Sequence, residues 1–277
     1  MQLLDLTFKT PAENLACDET LLDFFEEHGG DGVLRFWEPT HYFAVVGYAN
    51  HVQTEVDVPA CAAGEIPILR RCSGGGTVLQ GPGCLNYSLV LKIEEHGPLA
   101  SITSANKFIM GRTREAVEKL LRSSRPVLRS STAEGGREEA PIKTSQSLVT
   151  SAATIEVRGC TDLALVTHHT SLVTSLKFSG NAQRRKKNFL LFHGTFLLNF
   201  DIPLIGRFLR MPSKEPDYRQ SRSHTDFLTN LILPSEVVKK AMQEAWGAGE
   251  RMEVVPHDAI ALLARDKYVT KEWNFKF

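Results

Sequence analysis

The sequence lacks the features that mark several common classes of protein. Lysine plus arginine equals aspartate plus glutamate at 32 each, so the basic excess of a nucleic-acid-binding protein is missing. The five cysteines are odd in number and form no Cys-x-x-Cys pair, which favours reduced thiols over a disulfide framework. The N-terminus MQLLDLTFKT has neither the basic start nor the apolar run of a signal peptide, and no membrane span is evident. We therefore expect a cytoplasmic globular protein with no nucleic-acid or membrane partner.

Helix signals are present at both ends of the chain. Thr10 as N-cap, Pro11 at the first helical position and Glu13 in a capping box predict a helix that stops at Gly29 and Gly30. A second, amphipathic helix is expected over 101–123, and a third between an N-cap at Ser235 and a stop at Gly247.

Strand signals lie between these helices. Runs rich in aromatic and β-branched residues predict strands at 32–37, 42–48, 66–71, 85–92, 153–157, 161–168, 172–180 and 188–201. Because strands and helices do not strictly alternate, the expected fold class is α+β, with mixed, largely antiparallel sheets packed by helices.

The length suits a single large domain over residues 1–277, or one domain with a small appendage, and the C-terminal part at 203–277 is expected to be helical. Residues 124–151 are poor in large apolar side chains and rich in serine, threonine, glycine and charge. We expect this stretch to be a flexible surface insertion, and the alternative is a lid over a site.

A glycine-rich stretch, RRCSGGGTVLQGPGCLNYS at 70–88, is the first candidate for chemistry. Its glycines can adopt positive φ and present N–H groups to an anion, and Arg70 and Arg71 add fixed charge in front of them. The stretch is neither a P-loop nor a dinucleotide fingerprint, because the Gly-Lys-Ser/Thr and Gly-x-Gly-x-x-Gly patterns are absent. On composition alone, a plain loop remains as good an interpretation as a substrate-binding loop.

The second candidate is LKFSGNAQRRKKNFLLFHGTFLLNF at 176–200. Lys177 is expected at a strand end before a turn of small residues, where an ammonium could reach into a site. His193 could serve as a general base, although a histidine at a strand end is more often a satisfied hydrogen-bonding residue. The basic run at 184–187 is interpreted as a solvated turn.

Together, RRCSGGGTV…GCLNYS and LKFSGNAQRR…LFHGT resemble the lipoate-protein ligase A branch of the biotin/lipoate ligase and transferase superfamily. NLACDETLL, LRFWEP and EPDYRQSRSHTDFLTNL are similar to that branch too, so the resemblance runs from about residue 10 to the C-terminus. It implies attachment of lipoate or octanoate to a lysine of lipoyl-domain acceptors, of the 2-oxoacid dehydrogenase E2 or glycine cleavage H protein type. Ligases of this kind use ATP and Mg²⁺ as co-substrates and form an acyl-adenylate, whereas related octanoyltransferases use acyl carrier protein without ATP.

The resemblance also implies site residues, position by position. Lys177 matches the lysine that contacts the acyl carboxylate and phosphate, and it is the expected catalytic residue. The residues expected to bind the acyl group and adenylate are Arg70, Arg71, Ser73, Gly74, Gly75, Gly76, Thr77, Val78, Asn86, Ser179, Gly180, Asn181, Ala182, His193, Gly194 and Thr195. No residue is assigned to a metal.

Two departures from the family pattern leave alternatives open. Leu79, Gln80 and Gly81 stand where the family has His-Asp, which weakens the expectation of a nucleotide site. Cys84 replaces an asparagine and could carry an acyl thioester, with Cys72 and Cys160 as weaker candidates.

The segment EWNFKF is similar to one that leads into an accessory C-terminal domain in two-domain ligases, and that domain is expected to be absent here. A separate accessory chain is therefore a possible partner. The readings left open are an ATP-dependent ligase, an octanoyltransferase, and a non-catalytic subunit that binds an acyl group or adenylate beside a partner chain.

Overall fold

The computed structural model describes residues 1–123, 153–169 and 172–277. The insertion predicted at 124–151 lies outside the described residues, so its role stays a prediction.

Eleven strands lie in the described part of the chain: β1 (Gln2–Asp5), β2 (Val33–Trp37), β3 (Phe43–Val46), β4 (Ile68–Arg70), β5 (Val78–Gln80), β6 (Cys84–Lys92), β7 (Thr154–Arg158), β8 (Asp162–His169), β9 (Leu172–Arg185), β10 (Phe189–Leu197) and β11 (Glu250–Arg251). Eight form one sheet in the order β11-β1-β2-β6-β10-β9-β8-β7, and three form a small sheet in the order β4-β3-β5. Pairing is parallel for β11-β1, β1-β2 and β3-β4 and antiparallel elsewhere. The predicted α+β class with mixed, largely antiparallel sheets is confirmed.

The described helices are α1 (Pro11–His28), α2 (Val52–Glu55), α3 (Val58–Ala63), α4 (Ile102–Ser123), α5 (Pro203–Phe208), α6 (His224–Phe227), α7 (Ser235–Trp246), α8 (His257–Leu263) and α9 (Lys271–Asn274), with a 3₁₀ turn at Asp217–Arg219 and a π turn at Ala264–Tyr268. The capping box of α1 is confirmed, since the Thr10 side chain accepts from the Glu13 N–H and the Glu13 carboxylate accepts from the Thr10 N–H. The N-cap of α7 was predicted wrongly: Pro234 occupies that position and Ser235 is the first helical residue.

No helix in the described ranges is long and apolar enough to cross a membrane.

The large sheet has a different kind of residue on each face. One face carries the apolar side chains that pack against α4 and α7, among them Leu34, Phe36, Leu89, Phe192 and Phe196. On the other face, the register places Arg35, Ser88 and His193 in one row across β2, β6 and β10. Trp37, Asn86 and Thr195 form the next row. Polar side chains of neighbouring strands thus share the face that α1 covers.

Strand β9 differs from its prediction in two ways. It continues to Arg185, so the first two residues of the basic run lie in the strand rather than in a turn. Lys177 therefore sits inside the strand and not at its end. The register with β8 shifts here, because Ser179 pairs with Leu163 and Lys177 with Ala164, leaving Phe178 as an extra residue. Such a bulge redirects side chains, and bulges are frequent beside functional sites.

Candidate active site

The two sequence motifs meet at a cavity of about 310 Å³. Of the predicted site residues, the cavity is lined by Arg71, Gly75, Gly76, Thr77, Val78, Asn86, Lys177, Gly180, Asn181, Ala182, His193, Gly194 and Thr195. A second cavity of about 120 Å³ shares several of these residues and adds Ser179. The pairing of β9 with β10 and of β10 with β6 explains the convergence, because it aligns Gly180, Thr195 and Asn86 across three strands.

Arg70 does not line either cavity. Its side chain is completely buried and donates to the backbone carbonyls of Gly47, Tyr48, Asn50, Trp273 and Asn274. The guanidinium therefore joins β4 to the C-terminal segment, a structural role that differs from the substrate contact expected from the resemblance.

Arg71 lies beneath the glycine loop. Its Nη2 donates to the carbonyls of Gly74 at 2.5 Å and Gly76 at 2.7 Å, and its Nε donates to Ser73 Oγ at 3.1 Å. Burial lowers the pKa of Arg71 to about 10, and the carbonyl oxygens of the loop compensate the buried charge. Arg71 thus shapes the loop from inside.

Only one of the three consecutive glycines has a backbone that requires glycine. Gly75 has φ +87°, and a Cβ there would meet Arg71 Nη2 at 3.0 Å. A Cβ at Gly74 or Gly76 would meet nothing within 4 Å. The triple glycine therefore permits one left-handed turn over Arg71, and the narrow cavity does not depend on the missing side chains of the other two.

Lys177 is held by residues outside the two motifs that meet at the cavity. Its Nζ lies 2.8 Å from Asp162 Oδ1, and Tyr218 donates its hydroxyl to Asp162 Oδ2 at 2.8 Å. Gly180 lies beneath the ammonium, where a Cβ would approach Nζ to 2.8 Å. Burial, followed by the charge of Asp162, raises the pKa of Tyr218, so its hydroxyl stays a donor. Lys177, Asp162 and Tyr218 form the first of three polar groups at the cavity.

His193 belongs to the second group, a chain of hydrogen bonds that crosses the sheet. Its Nε2 lies 2.6 Å from Ser73 Oγ, and its Nδ1 lies 2.9 Å from Asp18 Oδ2. Asp18 Oδ1 in turn accepts from Arg35 at 2.6 Å. The chain ties the glycine loop to α1, β2 and β10, which supports the interpretation of His193 as a satisfied hydrogen-bonding residue.

Asp18 carries the negative charge of this chain. Burial by itself raises the pKa of Asp18, but the Arg35 guanidinium and the His193 hydrogen bond outweigh burial and hold the pKa below its ordinary value. Arg35 is completely buried and also donates to the backbone and side-chain oxygens of Asn14. The pair is thus ionised and hydrogen-bonded on both sides, as a buried ion pair requires.

The third group occupies the position where the sequence departs from the family pattern. Gln80 Nε2 donates to Thr195 Oγ1 at 2.7 Å, and Asn86 Nδ2 donates to Gln80 Oε1 at 3.0 Å. Thr195 Oγ1 closes the triangle by donating to Asn86 Oδ1 at 2.5 Å. Gln80 lines both cavities. Because all three side chains are uncharged, the site has a neutral polar cluster where the resemblance predicts His-Asp.

Apolar side chains of one core cluster line part of the cavity and form an apolar wall. They are Leu15, Trp37, Val45 and Val78. This wall suits a hydrocarbon chain, since each buried methylene contributes about 0.8 kcal/mol.

The thiols differ sharply in accessibility. Cys84 is 1% exposed, does not line the cavity, and has its pKa raised to about 12 by burial. Burial also raises the pKa of Cys72 to about 12. Cys160 is exposed and lines the larger cavity. Of the candidate nucleophiles, Cys160 is the thiol that the described structure makes accessible.

Several site residues were not among the predicted ones: Asp18, Gln80, Asp162, Tyr218 and Arg219. All except Asp162 lie in segments that the sequence analysis quoted, but those segments did not show which side chains reach the cavity. Asp18 did carry a signal, because it lies on the helical stripe that contains Leu15 and Leu22, where a charged residue needs a buried partner. Asp162 directly opposes Gly180 across β8 and β9, a relationship that only the strand register reveals.

Residues 10–246 match the model of the lipoyl protein ligase A/B catalytic domain. The chain belongs to this family. The predicted resemblance is therefore confirmed, and with it the expectation of an enzyme of the lipoate ligase or octanoyltransferase type.

Among curated proteins, the chain is 26% identical to octanoyltransferase LipM of Geobacillus kaustophilus, over 99% of this chain and 98% of that protein. Among solved structures, a bipartite lipoate protein ligase from Thermoplasma acidophilum, studied with its E2 lipoyl domain, superposes with a TM-score of 0.69 at 20% identity, covering 99% of this chain and 96% of the other. A lipoate-protein ligase A bound with ATP gives a TM-score of 0.66 at 24% identity, covering 99% and 98%. The structural likenesses establish the fold, and the curated relative in sequence is named an octanoyltransferase.

Proposed function

We propose that this protein transfers an octanoyl group from the thioester of an acyl carrier protein to a lysine of a lipoyl-domain acceptor, without ATP. This is the alternative that the sequence left open, and it replaces the ATP-dependent ligase as the leading interpretation. Similarity to octanoyltransferase LipM over nearly the whole of both chains supports it.

The pairing of Lys177 and Arg71, the cavity-lining cations of the two motifs, is the observation that carries the proposal. Adenylation holds a carboxylate against a phosphate, so a ligase needs unpaired positive charge at the reacting carbon. Here Lys177 is paired with Asp162, and Arg71 is bound to loop carbonyls. Gln80 contributes a neutral amide where the family has His-Asp. A thioester carbonyl is uncharged, and it suits this arrangement better than two adjacent anions do.

Each part of the cavity then has a role in the transfer. The octanoyl chain lies along the apolar wall that includes Leu15 and Trp37. Lys177 donates from its ammonium to the thioester oxygen and stabilises the charge that develops there. The acceptor amine attacks the carbonyl carbon, the C–S bond breaks as the C–N bond forms, and the leaving thiolate takes up the proton that the amine loses. Asp162 and Tyr218 hold Lys177 in place during these steps.

ATP-dependent ligation with Mg²⁺ and an acyl-adenylate is the second candidate. The structural similarity to a lipoate-protein ligase A bound with ATP favours it. The paired charges of Lys177 and Arg71 fit a triphosphate poorly, so no step of the reaction is assigned to ATP here.

Mass spectrometry of the acceptor separates the candidates. The purified protein is incubated with a lipoyl domain and either octanoyl-loaded acyl carrier protein, or lipoate or octanoate with ATP and Mg²⁺. We expect an octanoyl increment in the first reaction, lost in Lys177→Ala and kept in Lys92→Ala, an exposed lysine on β6. Modification only with ATP would establish the ligase. Binding of octanoate without modification in any reaction would establish a non-catalytic subunit.

A further inference from the structure

A run of positive charge borders the cavity. The segment 203–214, PLIGRFLRMPSK, contains three cations and no carboxylate, in a chain whose formal net charge is zero. Arg207, Arg210 and Lys214 are all exposed. Among the described residues, no carboxylate forms an ion pair with any of these three side chains. We call residues 203–214 the basic segment.

The basic segment is fixed to the body of the protein. Arg210 N donates to the Glu55 carbonyl at 3.0 Å, and Asp57 N donates to the Phe208 carbonyl at 2.9 Å. The buried carboxylate of Glu55 accepts from both the N–H and the hydroxyl of Ser213. The cations are therefore presented on an anchored backbone, which lowers the entropy that binding a partner would cost.

The segment also lies at an opening of the site. Lys214 is exposed and lines the larger cavity, while Arg210 lines the smaller one. Behind them, Arg219 is 5% exposed and lines both cavities. Its Nε forms an ion pair with Glu215 Oε2 at 3.6 Å, which is too long for a hydrogen bond. The exposed cations Arg210 and Lys214 thus mark the opening, and Arg219 lies inside it.

We propose that the basic segment docks the acyl donor: an acidic carrier domain that holds its thioester on a phosphate-bearing arm, with Arg219 facing the phosphate. This inference rests on the proposed function. The two partners of that reaction differ in the charge they bring to the cavity. The acceptor inserts a lysine, which positive charge repels, whereas the donor inserts an anionic arm. Charge complementarity therefore assigns this surface to the donor.

Charge reversal with a matched control tests the docking surface. The variant Arg207→Glu/Arg210→Glu/Lys214→Glu is compared with Lys107→Glu/Lys119→Glu/Lys240→Glu, which reverses three exposed lysines of α4 and α7. The affinities for octanoyl-loaded acyl carrier protein and for a lipoyl domain are measured separately by fluorescence anisotropy. These binding measurements need no turnover, so the docking surface and the proposed reaction can fail independently.

We expect the Kd for the carrier protein to rise about tenfold or more in the basic-segment variant. The control triple variant should keep the wild-type Kd for the carrier protein, and both variants should keep the wild-type Kd for the lipoyl domain. Equal weakening in both triples would overturn the proposal, because it would show unspecific attraction. Weakening confined to the lipoyl domain would assign the surface to the acceptor and overturn it too.

A second measurement covers the case in which the triple variant does not fold. Arg207→Glu alone changes a side chain that lines neither cavity. It should raise the carrier Kd, and it should flatten the dependence of that Kd on salt between about 50 mM and about 500 mM. An unchanged Kd with an unchanged salt dependence would contradict the proposal.

Discussion

The ammonium of Lys177 lies 2.8 Å from the carboxylate of Asp162. The bulge at Phe178 turns the lysine toward β8, where Asp162 directly opposes Gly180. The carboxylate of Asp162 thus gives Lys177 a counter-ion inside the cavity, and the proposed function depends on this pairing.

Asp162→Asn should lower kcat/KM for octanoyl transfer by about 100-fold, because Lys177 loses the partner that orients it. The same change frees the ammonium, so the Kd for free octanoate should fall. Calorimetry and steady-state kinetics measure the two effects. Asp217→Asn, at an exposed position of the 3₁₀ turn, is the control and should leave both values unchanged. A lower kcat/KM without tighter octanoate binding would point to structural damage.

Asp18→Asn should lower the free energy of unfolding by about 3 kcal/mol at neutral pH, since it leaves the buried Arg35 charge uncompensated. The pKa of Asp18 is lower in the folded protein, so its stabilisation is present above about pH 4 and is lost as the pH falls through the folded value. Urea unfolding at several pH values should therefore show the gap between wild type and variant narrowing on acidification. A gap that stays constant down to about pH 2 would contradict this assignment.

Gln80→Leu should destabilise the protein by about 1 to 3 kcal/mol, because Asn86 and Thr195 each lose a hydrogen-bond partner in a buried cluster. Gln53→Leu, at an exposed position of α2, should change stability little. Chemical denaturation of both variants provides the comparison. Equal stability of the two would show that the triangle around Gln80 is not a structural element.

Iodoacetamide should modify Cys160 before any of the four buried cysteines. Burial raises the pKa of Cys84 to about 12, which removes its reactive thiolate at neutral pH. Peptide mapping identifies the labelled residue, and octanoyl-loaded acyl carrier protein should slow its labelling, because Cys160 lines the cavity. Labelling of Cys84 at a comparable rate would reopen the thioester hypothesis for that residue.

Local signals predicted most of the fold, and tertiary contacts account for what they missed. The capping box of α1 depends on residues three positions apart, so the sequence alone was sufficient. β1 and β11 are short and pair with each other in parallel from opposite ends of the chain, a relationship without a local signal. Strand β9 ran past its predicted end because pairing with β10 on one side holds Arg184 and Arg185 in the sheet.

The candidate site was predictable only in part, for a related reason. Family motifs pointed to Lys177 and His193, but their partners Asp162 and Asp18 lie on other elements. Asp18 falls within NLACDETLL, yet nothing in that segment shows which side chain it contacts. Arg70 illustrates the opposite case. Arg70 and Arg71 are indistinguishable in sequence, but their side chains point in different directions. Arg70 binds the C-terminal segment at Asn274, and Arg71 lies under the glycine loop at Gly74.

The most direct test of the central claim is the rate of acceptor modification with octanoyl-loaded acyl carrier protein when ATP is removed continuously by hexokinase and glucose. The pairing of Lys177 with Asp162, and of Arg71 with the loop carbonyls, predicts that the lipoyl domain gains an octanoyl group at the same rate with and without this ATP trap. A rate that falls to the background of Lys177→Ala when ATP is removed would contradict the account.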